Sequence, residues 1–411
     1  MPVTQIKMPA GLTFAALLAG LAAGWALSNT AAADTVAAVA SPVGTIWLRG
    51  LQMTIVPLVA ALLVTGIVRM VATAQAGKMA RRTLLTILAI LAAGTVLAAV
   101  AMPALLEAFP IPGREAAALV GGGGETQAVP GIGAFFESLI SSNVIAAAAE
   151  TAMLPLIVFF ALFGAAVARL ADDKRDLMVR FFEALGDTML LIIGWVLWVA
   201  PVGVFALALG VGLNSGGGAF TALGHYILVV TALGFAVMLA GYGLGVIGGG
   251  YDLLVFARAL LPSQAVAIST QSSLASLPAM LQSCRLLRVR ETTADFVLPL
   301  AVTIFRATSP AMNLGVAIYV AYLSGVELTP LTLAAGAAVA LLTTIGSVSL
   351  PSSISFIASI GPIAIVMGVP IEPLALLIAV EMVPDIMRTL GNVTMDVALT
   401  STVDRHTEAN D

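Results

Sequence analysis

Five polar side chains near the C-terminal end, Asp385, Arg388, Thr389, Asn392 and Asp396, recur at i, i+3, i+4, i+7 and i+11 within an otherwise apolar run. That spacing puts all five on one stripe of an α-helix. Arg388 carries a planar fork suited to holding a carboxylate through two parallel hydrogen bonds. Asp385, one turn away, carries the opposite charge and suits an ammonium. Together they would read a zwitterion with an acidic side chain, while backbone amides at nearby loop tips take its α-carboxylate. An intrahelical Asp-Arg pair would account for those two residues alone, but Asn392 and Asp396 extend the stripe further than neutralisation needs.

The elements that must position this stripe lie in a membrane. Of 411 residues, 60% are hydrophobic and 10% charged, against about 25% charged in a soluble domain. At about 20 apolar residues per crossing helix the length accommodates about eight spans. Ionisable groups inside a span are costly and mark a substrate or ion path. The 18 Lys+Arg and 22 Asp+Glu leave a net charge of −4, which excludes the basic surplus that nucleic acid requires. Cys284 has no cysteine partner, and His225 and His406 are too far apart for a zinc site, so no metal or cofactor is expected. His225 reads as a packed or interfacial residue. Gly243, Gly245 and Gly248 match a dinucleotide fingerprint but end a membrane helix, where small residues serve packing.

Apolar runs lie near 11 to 28, 44 to 73, 83 to 106, 143 to 168, 187 to 212 and 220 to 249, with a broken region from 251 to 403. The first run reads as a retained span rather than a signal peptide. Asn29 to Pro42, the Gly-rich segment Pro110 to Pro130, Ala171 to Arg180 and Ser215 to Gly218 read as loops. Lys7, then Arg69 with Lys78, Arg81 and Arg82, then Arg169 to Arg180, Arg258 with Arg285 to Arg290, and Arg405 fall on every second side, which should be the cytoplasm. Both termini are then cytoplasmic. In the broken region, Ser263 to Pro278 reads SQAVAISTQSSLASLP between apolar arms each too short to cross, with arginines at both ends. It predicts a helical hairpin that enters and leaves on the cytoplasmic side. Ser347 to Ser355, SVSLPSSIS, predicts a second hairpin from the opposite side. Two such interruptions point to a midplane binding site of the inverted-repeat transporter type.

The final stripe, Asp385-x-x-Arg388-Thr389-x-x-Asn392-Val393-x-x-Asp396, resembles the last-helix signature of the dicarboxylate/amino acid:cation symporter family, the glutamate and aspartate transporters. Thr270 to Pro278 resembles that family's first hairpin tip and Ile345 to Pro351 its second. Leu51 to Ile67 and Ala200 to Ala206 are similar to its earlier spans. The resemblance implies an all-α integral membrane protein with eight transmembrane helices and two re-entrant hairpins, working as an elevator in a homotrimer of the inner membrane. It implies a scaffold of residues 1–77 and 109–215 and a transport domain of residues 78–108 and 216–411. By the same resemblance Asp385 holds the substrate ammonium and Arg388 its side-chain carboxylate. Thr389, Asn392, Ser272, Ser273 and Ser309 add polar contacts, and Ser349 and Leu350 lie in the outer gate.

One motif departs from the pattern. Where the seventh span of the family carries Asn-Met-Asp-Gly-Thr, this chain has Phe305-Arg306-Ala307-Thr308-Ser309, so the sodium-ligating Asn and Asp are Phe305 and Ala307. Span three's usual Thr-Ser pair is apolar here, at about Ile90 and Leu91. Apolar side chains offer no oxygen to a hard cation. Losing an aspartate and gaining Arg306 shifts the local charge by about +2, the charge of two sodium ions. The expectation is therefore a sodium-independent secondary transporter of acidic amino acids or C4 dicarboxylates, coupled to protons or working by exchange, with Arg306, Asp396 and Asn392 at the remnant ion site. A sodium-coupled dicarboxylate symporter, an anion channel or uniporter, an intramembrane enzyme and a non-transporting receptor are the alternatives.

Overall fold

The computed structural model describes residues 10–75, 77–112, 137, 139–215, 218–346 and 352–408. Among them the secondary structure is helical throughout. The helices are α1 (Ala10–Leu27), α2 (Ala33–Gln52), α3 (Ile55–Gln75), α4 (Lys78–Ala108), α5 (Val144–Ala149), α6 (Met153–Val167), α7 (Asp172–Trp198), α8 (Ala200–Ser215) and α9 (Gly218–Ile247). They continue as α10 (Leu253–Thr270), α11 (Leu277–Leu286), α12 (Glu291–Ile304), α13 (Thr308–Ser324), α14 (Pro330–Gly346), α15 (Ser352–Val366), α16 (Glu372–Leu377) and α17 (Met382–Glu408).

Proline marks eight of the seventeen helix starts among the described residues. Pro57, Pro155, Pro201, Pro278, Pro310, Pro330, Pro373 and Pro384 each fall within the first three residues of a helix. There the missing N–H costs nothing, whereas a continuous helix would place the ring against the carbonyl four residues back. Long apolar runs are thereby cut into half-helices.

Several predicted boundaries move. The Asn29 to Pro42 loop is mostly helix α2, whose Ala-rich stretch favours helix despite Pro42. The charged segment from Ala171 forms the first turns of α7, where Asp172 and Asp173 suit the positive helix end and Asp172 pairs with Arg175 at 2.9 Å. In the first hairpin, α10 runs through the serines to Thr270, and only 271–276 form the tip, where Gln271 takes a left-handed φ of 50°. The hydroxyls of Ser263, Ser269 and Thr270 bond back to their own helix, which makes a serine-rich segment compatible with helix at membrane depth. The Gly-rich segment lies mainly outside the described residues.

Five stretches are long and apolar enough to cross a bilayer: Ala33–Gln75, Lys78–Ala108, Asp172–Trp198, Ala219–Ile247 and Leu253–Thr270. Gly11–Leu27, Met153–Val167, Ala200–Asn214 and Pro330–Ile345 are shorter apolar helices. Leu85, Val96 and Val100 on α4 and Trp195 and Trp198 on α7 are 60% to 67% exposed. Lipid covers such faces at no hydrophobic cost.

Small residues let helices approach closely. A Cβ on Gly24 of α1 would lie 2.3 Å from the Leu209 carbonyl of α8, and one on Gly203 would lie 2.2 Å from the Trp47 ring. Trp47 Nε1 donates to the Val196 carbonyl at 2.9 Å. On α9, Gly245 leaves room for Phe256 and Gly248 for Thr402, while Gly243 faces open space. Helices α1, α2 and α8 pack together, as do α3, α6 and α7. Helices α4, α9, α14 and α15 surround α13, and α9 to α13 surround α17. Helix α13 is buried from Thr308 through Ala321.

Candidate functional site

Two helix breaks build the site. The seventh span is interrupted where α12 ends at Ile304. Phe305 is extended (φ −117°, ψ 118°), and α13 restarts at Thr308 with Pro310 in its first turn. Span 8 is interrupted over 378–381, and α17 restarts at Met382 with Pro384 in its first turn. Helix α13 therefore begins inside the protein, and α17 begins with exposed Met382 and Val383 and turns inward at Pro384 and Asp385, so that both positive ends lie beside the polar stripe.

Asn392 ties one break to the other. Its Oδ1 accepts from the Thr308 N–H at 3.0 Å and from Thr308 Oγ1 at 2.9 Å, and Thr308 Oγ1 also reaches the Arg388 carbonyl at 3.1 Å. The Asn392 carboxamide oxygen is thus committed to capping α13.

Arg388 is buried, and its fork is already engaged. Nη1 donates to Asn313 Oδ1 at 2.8 Å and Nη2 to Glu381 Oε1 at 2.8 Å. Asp385 Oδ1 lies 3.9 Å from Nε, an electrostatic contact rather than a hydrogen bond. The other Glu381 oxygen, Oε2, accepts from the Tyr226 hydroxyl at 2.9 Å. Helical side chains lean toward the N-terminus, so Arg388 reaches back two turns to Glu381, whose carbonyl receives the Asp385 N–H at 2.8 Å. Thr389 Oγ1 donates to the Asp385 carbonyl at 3.0 Å.

Glu381, Tyr226 and Asn313 are the residues that sequence reading misses. Glu381 continues the stripe four residues before Asp385 and seven before Arg388, so its spacing was visible. Tyr226 and Asn313 stand among apolar residues on separate helices and carry no comparable signal.

Deeper along the stripe sits Asp396, 1% exposed. Neither of its carboxylate oxygens has a hydrogen-bond partner among the described residues. Arg306, at the span 7 break, attracts it and Asp385 and repels Arg388. The flanking side chains are apolar: Phe305 and Ala307 are each 1% exposed. Helix α4 closes on the break, with Leu91 buried and the Gly94 position facing the Ala307 carbonyl. Ser309 is buried directly after the break.

Ser272 and Ser273 lie at the first hairpin tip, half-buried, and bond within that tip: Ser272 Oγ accepts from the Ala275 N–H at 3.3 Å, and both carbonyls accept from the Ser276 N–H. No hydrogen bond joins either of them to the stripe among the described residues. The hairpin is pinned instead by Gln264, whose Nε2 donates to Thr394 Oγ1 at 2.9 Å and Tyr242 Oη at 3.0 Å. Ser349 and Leu350 lie outside the described residues. His225 contacts the Tyr319 hydroxyl at 3.1 Å and the Phe109 carbonyl at 3.0 Å, a packing role between helix ends.

The arrangement offers the buried guanidinium of Arg388, the half-buried one of Arg306 and three buried carboxylates around two helix N-termini, a composition suited to binding small charged molecules rather than to nucleophilic chemistry. Comparison with known proteins agrees. The chain is 28% identical over 370 residues to the proton/glutamate-aspartate symporter of Escherichia coli, covering 86% of this chain and 82% of that protein. It is 26% identical over 283 residues to C4-dicarboxylate transport protein 1 of Pseudomonas aeruginosa (69% and 62% covered). It is 26% identical over 434 alignment positions to the human neutral amino acid transporter B(0) (94% and 77% covered). The model of the sodium:dicarboxylate symporter family matches residues 11–406. The chain therefore belongs to the sodium:dicarboxylate symporter family, a family of membrane transporters and not of enzymes.

Proposed function

We propose that the chain is a secondary active transporter of acidic amino acids that works without sodium, coupled to protons or by exchange. The observation that carries this reading is the buried Arg388 fork, one turn from Asp385 and beside the N-termini of α13 and α17. A guanidinium with helix N-termini selects a carboxylate, and the adjacent aspartate adds a place for an ammonium. A proton/glutamate-aspartate symporter and a C4-dicarboxylate transport protein among the relatives support the substrate class.

Sodium independence rests on the span 7 break. A hard cation needs several oxygens, and Phe305 and Ala307 supply none from their side chains, while Arg306 holds a fixed positive charge beside Asp396. The family resemblance extends the proposal to an inner-membrane homotrimer in which residues 78–108 and 216–411 move against a scaffold of 1–77 and 109–215. Packing of α4 on α13 and of α9 on α17 supports that division.

Arg306 also favours a second reading, C4 dicarboxylates, because a second guanidinium suits a second carboxylate. Uptake of labelled aspartate against labelled succinate into proteoliposomes separates the two. The first reading expects aspartate to win and Asp385→Ala to lose that preference. Intact aspartate preference in Asp385→Ala would refute the ammonium role.

A further inference from the structure

The guanidinium that would receive the substrate is already occupied by a carboxylate of the chain. Two parallel hydrogen bonds to a carboxylate require two N–H groups on one edge of the fork. Nη1 is held by Asn313 and Nη2 by Glu381, both at 2.8 Å. The edges that include Nη2 are therefore shared with Glu381. A substrate carboxylate docking bidentately must displace Glu381 from Nη2 or crowd a second carboxylate onto the same nitrogen.

Charge balance points the same way. Counted as ionised, Glu381, Asp385 and Asp396 against Arg306 and Arg388 leave one negative charge in excess. Aspartate, with two carboxylates and one ammonium, brings another. Two net negative charges in a buried site cost more than one by a wide margin. One proton per substrate restores the starting balance. The groups facing Glu381 are Arg388 and Asp385 on α17, which begins directly after it, and Tyr226 on α9, with Tyr319 of α13 behind Tyr226. Among the described residues the only hydroxyl bonded to its carboxylate is that of Tyr226, which can donate to an ionised carboxylate or accept from a protonated one.

We propose that Glu381 is both the internal carboxylate that a substrate displaces from Arg388 and the group that takes up the coupled proton. The inference rests on the acidic-substrate reading above. The step is balanced: the Glu381–Arg388 ion pair breaks, a substrate carboxylate–Arg388 pair forms, and an O–H bond forms at Glu381 with a proton from the aqueous phase on the loading side. Release of substrate on the other side reverses each event.

The test is proton uptake on binding aspartate, read with a pH-indicator dye on the purified full-length protein in weakly buffered detergent solution. Wild type is expected to take up about one proton per aspartate, with the apparent Kd weakening about tenfold per pH unit where that proton is linked. Glu381→Gln, a neutral isostere, is expected to bind aspartate with almost no proton uptake and a pH-independent Kd. Uptake by Glu381→Gln equal to wild type, or its loss in Asp396→Asn instead, would overturn the proposal. Should Glu381→Gln fail to fold, wild type titrated with asparagine decides: no proton uptake supports the proposal, and uptake equal to that with aspartate overturns it. Aspartate binding to wild type without any proton uptake defeats this inference alone. Absence of binding of both aspartate and succinate defeats the substrate reading beneath it.

Discussion

Replacing Arg388 by Met should destabilise the protein by about 3–5 kcal/mol, the cost of removing one partner from a buried ion pair. The geometry sets that size. Glu381 is 4% exposed and Arg388 9%, and Nη2 and Oε1 are 2.8 Å apart. At an effective dielectric of about 20, two charges at that separation attract by roughly 6 kcal/mol before desolvation is subtracted. In Arg388→Met the Glu381 carboxylate keeps, among the described residues, only the Tyr226 hydroxyl, and Asn313 loses a charged donor. Adding Glu381→Gln removes the exposed liability and should recover more than half of the loss. Chemical unfolding of wild type, both single variants and the double variant in the same detergent gives the cycle, with an expected coupling of about 2–3 kcal/mol. If Arg388→Met unfolds within about 1 kcal/mol of wild type, or the two substitutions simply add, the pair is solvated and the reasoning fails.

Asn392→Ala removes the acceptor for two donors on Thr308 and should cost about 1–3 kcal/mol, checked by the same unfolding assay. Gly24→Ala places a methyl 2.3 Å from the Leu209 carbonyl, so α1 and α8 must separate; a loss of about 1–3 kcal/mol is expected, and an unchanged unfolding midpoint would refute the close approach. The triple substitution Phe305→Asn, Arg306→Met and Ala307→Asp restores side-chain oxygens at the span 7 break. Aspartate binding should then tighten on adding Na+ in isothermal titration, whereas wild type should show no such response.

The polar stripe was legible because helical periodicity is short-range: Asp385, Arg388, Thr389, Asn392 and Asp396 lie on one buried face of α17 as their spacing requires. The membrane class followed from composition for the same reason, since burial in lipid is a property of whole segments. What escaped was the use made of those side chains. Asn392 spends its carboxamide oxygen on Thr308, 84 positions away in sequence, and Arg388 shares its fork with Asn313 and Glu381. Such partners are set by tertiary packing, which one-dimensional spacing does not encode. Helix breaks were half legible. Pro310 and Pro384 mark the restarts of α13 and α17, but apolarity running through both hid the interruptions. The serines before the first hairpin tip misled in the opposite direction, because their hydroxyls satisfy themselves on the helix carbonyls and leave α10 intact to Thr270.

The central claim, transport of an acidic substrate with Arg306 standing where sodium ligands are lost, is tested most directly by uptake of labelled aspartate into proteoliposomes with Na+ replaced by choline. The account predicts the same initial rate in choline as in Na+, acceleration by an inward proton gradient or by internal unlabelled aspartate, and no uptake by Arg388→Met. Uptake that stops when Na+ is withdrawn would contradict it.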